Sequence, residues 1–173
     1  MDPRYPIGRF TPDANPTPEI RSRHIEVIGA LPQRFRKAVL GLSDSQLNMP
    51  YRDGGWTVRQ LIHHVPDSHL NAYIRCKLAL TEETPTIKPY DQEAWANLPD
   101  YALTPVEVSL SLLEGVHGRW VTLLRSLKPE DFSRKFNHPE TGMQSVDSTL
   151  AFYAWHSNHH LGHITALRER MKW

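Results

Sequence analysis

Ten histidines stand in this chain of 173 residues, and their clustering makes them the natural starting point. His63, His64 and His69 form one group, and His156, His159 and His160 another, with His163 a turn further on. Imidazole is the commonest protein metal ligand and the side chain best placed to move protons near neutral pH. His156 and His160 are four residues apart. On a helix of about 3.6 residues per turn their rings stack on one face, where one cation can take a nitrogen from each. Such a pair alone is more often an exposed surface feature, so a third nitrogen from another segment has to decide the matter. His64 and His63 compete for that role. On a helix His64 shares a face with Leu61, Ser68, Asn71 and Arg75, a mixed polar stripe suited to a wet cavity; His63 falls beside Asp67, Leu70 and Ile74. The stripe favours His64 and leaves His63 open.

Three neutral imidazoles leave a coordination position vacant, which is the pattern of a catalytic rather than a structural metal site. Water there would have its pKa lowered to about 7 by a zinc-type ion. The expected occupant is one divalent ion per chain. Zinc and nickel come first, although iron and copper also accept such ligands. Other chemistry is poorly supported. Cys76 has no cationic cluster or helix terminus to activate it and reads as core filler. No Ser/His/Asp order, phosphate-binding loop or dinucleotide fingerprint occurs. Asp67 is the nearest carboxylate that could hold the second nitrogen of a ligating histidine. His63, His159 and His163 read as outer donors or packed polar residues, and His24, His117 and His138 as surface or loop residues. Arg75 could meet an anionic substrate group, and Tyr90, Asp91 and Trp95 could roof a cavity.

The elements that must position these residues are helical. Residues 1–18 contain five prolines and read as an extended arm, with Tyr5, Ile7 and Phe10 as anchors. The remainder, 19–173, reads as a single domain. From Glu19 to Leu42, apolar residues recur at helical spacing, with Pro32 expected to kink or split the helix. Thr57 and Gln60 form a capping-box pattern ahead of a helix from Val58 to about Leu80, bent near Pro66. A short helix is expected between Tyr90 and Leu98. Thr104-Pro105 should open a further helix reaching about Leu127, with Val108, Leu112, Val116, Trp120 and Leu124 on its apolar face. Lys128 to Gln144 reads as a polar loop, and the last helix runs from about Val146 to Met171 around Leu150, Tyr153, Ile164 and Leu167. Four long helices and no convincing strand make the expected fold an all-α, antiparallel four-helix bundle.

Composition narrows the partners. Hydrophobic residues are 39%, charged residues 23%, and the net charge is +1, too balanced for a nucleic-acid surface. No apolar stretch approaches the ~20 residues of a membrane span. With one cysteine and no leader pattern, the expected location is the cytoplasm.

The runs GGWTVRQLIHHVPDSHLNAYIRCKLALTEETP, PYD and YAWHSNHHLGHIT resemble the DinB/YfiT-like superfamily, its YfiT branch most of all. The similarity runs from Tyr5 to the carboxy terminus. It implies a four-helix bundle, often a homodimer, with a metal held by His64, His156 and His160, and hydrolysis of a small-molecule substrate. Relatives in the superfamily use low-molecular-weight thiols, so thiol S-transfer is the alternative enzyme reading. A non-enzymatic metal or small-ligand binding protein of a stress response is the alternative of another class, and a purely structural bundle is a third. Pro66 stands where alanine is usual, which puts the placing of His64 in question.

Overall fold

The computed structural model describes residues 2–13 and 15–173. Its long elements are α1 (Pro18–Val39), α3 (Val58–Thr81), α6 (Val106–Ser126) and α7 (Val146–Met171). Between them lie α2 (Asp44–Leu47), α4 (Gln92–Ala96), α5 (Pro99–Leu103) and a 3₁₀ turn (Pro129–Ser133). Local chemistry explains the boundaries. Thr57 accepts from the Gln60 backbone N–H while the Gln60 side chain accepts from the Thr57 N–H, so two otherwise orphaned donors are satisfied as α3 begins. Ser43 and Ser145 cap α2 and α7 in the same way. Pro32 and Pro66 both lie inside continuous helices.

The four long helices form a ring in which α1 packs against α6 and α7, and α3 packs against the same two. Side-chain pairs fix the directions. His64–His160 and Ser68–Tyr153 show that α3 and α7 run antiparallel, as do α1 and α6 through Arg36–Glu107 and His117–Ile28. By contrast, Arg21–Asp147, Arg34–Asn158 and Arg168–Ala38 align α1 and α7 in parallel, and His63–Ser109 and His69–His117 do so for α3 and α6. Parallel neighbours need crossovers that traverse the length of the bundle, which accounts for the long connection carrying α4 and α5.

Three expectations need correction. The stretch expected to be a polar loop contains a hairpin, β1 (Lys135–His138) antiparallel to β2 (Gly142–Ser145), with Gly142 at φ +78° where the chain reverses. Thr104 does not cap α6; its backbone N–H closes α5 on Asp100, and Pro105 precedes α6 without a side-chain cap. The apolar face of α6 departs from the expected one only in its first turns, since Val116, Trp120 and Leu124 are buried as expected. Val108 and Leu112 are exposed, while Ser109, Leu113, His117 and Val121 are buried.

The core has two apolar halves. One centres on Trp120 with Ile28, Tyr73 and Leu150, the other on Phe35 with Leu61, Leu113 and Ile164. On each long helix the two sets occupy opposite ends, and the layer where they meet holds the buried histidines. The amino-terminal arm lies along α7. Trp155 donates to the Gly8 carbonyl at 3.2 Å, and Phe10 meets Phe152 edge-on at 5.3 Å. The arm comes so close that a Cβ at Gly162 would stand 3.1 Å from Ile7 and 3.2 Å from Pro6. A helical glycine costs about 1 kcal/mol relative to alanine, and here that cost admits the arm.

Candidate metal centre

His156 and His160 lie one turn apart on the inner face of α7, and α3 brings His64 up against both. The three side chains are 2–8% exposed. Ring centroids stand 4.4 Å apart for His156–His160, 5.1 Å for His64–His160 and 5.7 Å for His64–His156. One ring nitrogen of each lies within 4.8 Å of one from each of the others. The sharpest approach is between two Nε2 atoms, 3.1 Å apart on His156 and His160. Pro66 thus does not keep His64 from the other two. His63, its rival, points elsewhere: its Nδ1 pairs with the Ser109 hydroxyl at 2.7 Å and its ring rests on Tyr101.

Burial keeps these rings neutral. It pushes His64 down to about 4, and holds His156 and His160 well below the ordinary histidine value, with the neighbouring imidazoles adding to the effect. Lone pairs on the nitrogens are therefore available near neutral pH. His64 Nδ1 and His160 Nδ1 are buried with no hydrogen-bond partner. Among the described residues no carboxylate serves the three rings. Asp67 instead accepts from the Tyr101 hydroxyl at 2.6 Å, and burial raises its own pKa.

The trio forms part of the wall of a cleft of about 820 Å³. His64, Ser68 and Arg75 of the expected polar stripe line it from α3, whereas Leu61 and Asn71 do not, and Tyr90 and Asp91 close over it. Trp95 does not line the cleft but packs, tilted, against Tyr90 at 4.4 Å. Trp56 packs on the His64 ring at 4.6 Å and donates to Glu93 of α4 at 2.9 Å, tying the roof to the trio. Cys76 is buried and pushed up to about 12, an inert thiol.

A second histidine pair sits further along the same helix. His159 and His163 also approach Nε2 to Nε2 at 3.1 Å, and with His160 they make another triad of nearby nitrogens. All three come from α7, and the outer pair lies between Trp155 and Tyr51.

Two residues escaped the sequence reading. His69 received no role, and His117 was expected at the surface; both are buried directly behind His156, at 0% and 1% exposure. A signal for His117 existed. It stands four residues from both Leu113 and Val121, on the buried side of α6. His24 does sit at the surface beside Asp13, and His138 borders the cleft from β1.

Comparison with known proteins agrees with this geometry. The DinB superfamily pattern matches residues 28–164. Proteins of Bacillus mycoides strain KBAB4 and Bacillus cereus strain 03BB102, both bearing the name "Putative metal-dependent hydrolase", are 54% and 55% identical over 172 residues, with 99% of each chain covered. The structure of YfiT from Bacillus subtilis, described as "a probable metal-dependent hydrolase with an unusual four-helix bundle topology", superposes with a TM-score of 0.97 at 48% identity, covering 100% of this chain and 99% of that one. TT2238, a four-helix bundle protein, matches at TM-score 0.58 and 17% identity over 82% of this chain and 94% of its own, a likeness of fold. No helix among the described residues is long and apolar enough to cross a membrane.

Proposed function

The chain belongs to the DinB superfamily, and from that premise we propose that it is a metal-dependent hydrolase of a small molecule, with His64, His156 and His160 holding one divalent ion. The observation that carries this reading is the convergence of three ring nitrogens, from two helices, within 4.8 Å of one another beside an open cleft. The fit is chemical as well as spatial. Two Nε2 atoms at 3.1 Å can share only one proton, and the surroundings are buried, so a cation matches the donors better than water does. Nitrogen ligands suit zinc and nickel, our first candidates. Such an ion supplies Lewis acidity, polarising a carbonyl or acidifying water or a thiol.

The chain's own groups do the rest. Trp56 holds the plane of His64. Burial pushes the Tyr90 phenol up to about 12, so near neutral pH it keeps its proton and offers an O–H to a substrate oxygen. Arg75 lines the cleft with no ion-pair partner among the described residues and can meet an anionic group. That free cation also supports a second reading, thiol S-transfer, because a guanidinium binds well the carboxylates that cysteine-derived thiols such as glutathione carry.

Assays of metal-loaded protein against ester and amide panels, and against thiols with electrophiles, separate the two. Hydrolysis that disappears in His156→Ala supports the first reading. Turnover that requires an added thiol replaces it with the second, and silence in both panels removes the enzyme reading.

A further inference from the structure

The imidazoles continue behind His156. Its Nδ1 lies 3.1 Å from His69 Nε2, His69 Nδ1 lies 2.9 Å from His117 Nε2, and His117 Nδ1 lies 2.6 Å from the backbone carbonyl of Ile28. The line crosses the bundle from α7 through α3 and α6 to α1, along the layer between the two apolar halves of the core.

The far end fixes every proton in the line. A carbonyl oxygen only accepts, so His117 Nδ1 must carry a hydrogen. In neutral His117 the Nε2 is then bare and accepts from His69 Nδ1–H. His69 Nε2 is bare in turn and accepts from His156 Nδ1–H. This leaves His156 Nε2 as a lone pair, the atom that stands 3.1 Å from His160 Nε2. The anchor is available because of Pro32. A carbonyl at Ile28 would ordinarily serve the N–H four residues on, and proline has none. The proline that looked like a helix defect therefore frees the acceptor on which the line ends.

We propose that His69 and His117, anchored on the Ile28 carbonyl that Pro32 leaves free, are positioning residues that lock His156 in its Nδ1–H tautomer and present its Nε2 to the cation. The ligand-presenting role rests on the metal reading above, whereas the tautomer lock does not. His156 is the only member of the trio served in this way among the described residues, since His64 Nδ1 and His160 Nδ1 have no partner.

The test is ¹⁵N spectroscopy of histidine tautomers in metal-free protein near neutral pH, paired with Zn²⁺ titration. In wild type, His117, His69 and His156 should each show a protonated Nδ1 and a bare Nε2. In His117→Phe, His69 and His156 should lose this single form and Zn²⁺ affinity should fall about tenfold; His69→Phe should cost more, within the roughly 10–100-fold range of outer partners of metal ligands. His117→Gln should restore much of the affinity, because its amide nitrogen donates to Ile28 while its oxygen accepts from His69. A wild-type spectrum with Nε2–H or mixed forms at His156 overturns the lock, with no variant needed. The expected tautomers with unchanged Zn²⁺ affinity in both Phe variants overturn the ligand-presenting role. A wild type that shows the tautomers but binds no Zn²⁺ overturns that role through failure of the metal reading, and the surviving spectrum tells the two apart.

Discussion

Helix α7 carries two histidine pairs at the same spacing, His156/His160 and His159/His163, and each closes to the same 3.1 Å between Nε2 atoms. Their surroundings differ. The first pair faces His64 on α3 and has His69 and His117 behind it. The second packs between Trp155 and Tyr51, flanked by Tyr5 of the arm, and among the described residues receives no imidazole from another helix. Spacing along one helix thus creates pairs cheaply; what other helices bring to a pair separates a centre from a packed ladder.

The largest effect should come from breaking each pair in turn. Untagged wild type should carry about one equivalent of divalent metal per chain. His156→Ala, which removes one of only three nitrogens, should retain under about a tenth of it. His163→Ala should keep nearly all. Elemental analysis of the purified proteins decides this, and the reverse ranking would move the centre to the outer pair.

A smaller effect tests the line of imidazoles behind His156 through acid stability. Burial depresses His117 to about 4, against about 6.5 in the unfolded chain. The unfolded state therefore binds the extra proton between those values. The stability due to neutral His117 is complete above about pH 6.5 and is lost as pH falls towards 4, by up to about 1.4 kcal/mol per pH unit. Denaturant melts of metal-free protein should accordingly show a shallower dependence on pH in His117→Phe across that window. An unchanged slope would mean that the ring is not held neutral.

The smallest effect should come from the arm. In Gly162→Ala the new methyl group meets Ile7 and Pro6, whose side chains belong to a segment free to lift, while the helix gains about 1 kcal/mol of propensity. Global stability should change by less than about 1 kcal/mol, with faster proteolysis before residue 13 and unchanged metal content. Lost metal would show that the arm supports the centre.

Much of this was legible in the sequence, for definite reasons. The capping box at Thr57 and the apolar rows of α1 and α7 are local patterns, and they placed His64, His156 and His160 on the right helices. What stayed hidden depends on contacts between distant segments. His117 was misplaced because the buried face of α6 is wider than the row Val116, Trp120 and Leu124, which is buried as expected: Val108 and Leu112 are as apolar as the buried positions, and only neighbouring helices decide that Ser109, Leu113 and His117 face inward instead. Pro32 read as a breaker because its partner at the freed carbonyl lies 89 residues away in sequence. The hairpin in 135–145 is short and mostly polar, so it lacked the alternation that marks a strand.

The most direct measurement is anomalous X-ray scattering from crystals of the wild-type protein loaded with Zn²⁺. A single peak per chain within bonding distance of His64, His156 and His160, with His156 bound through Nε2, is the predicted result. A peak held by His159 and His163, or none at the trio, would contradict it.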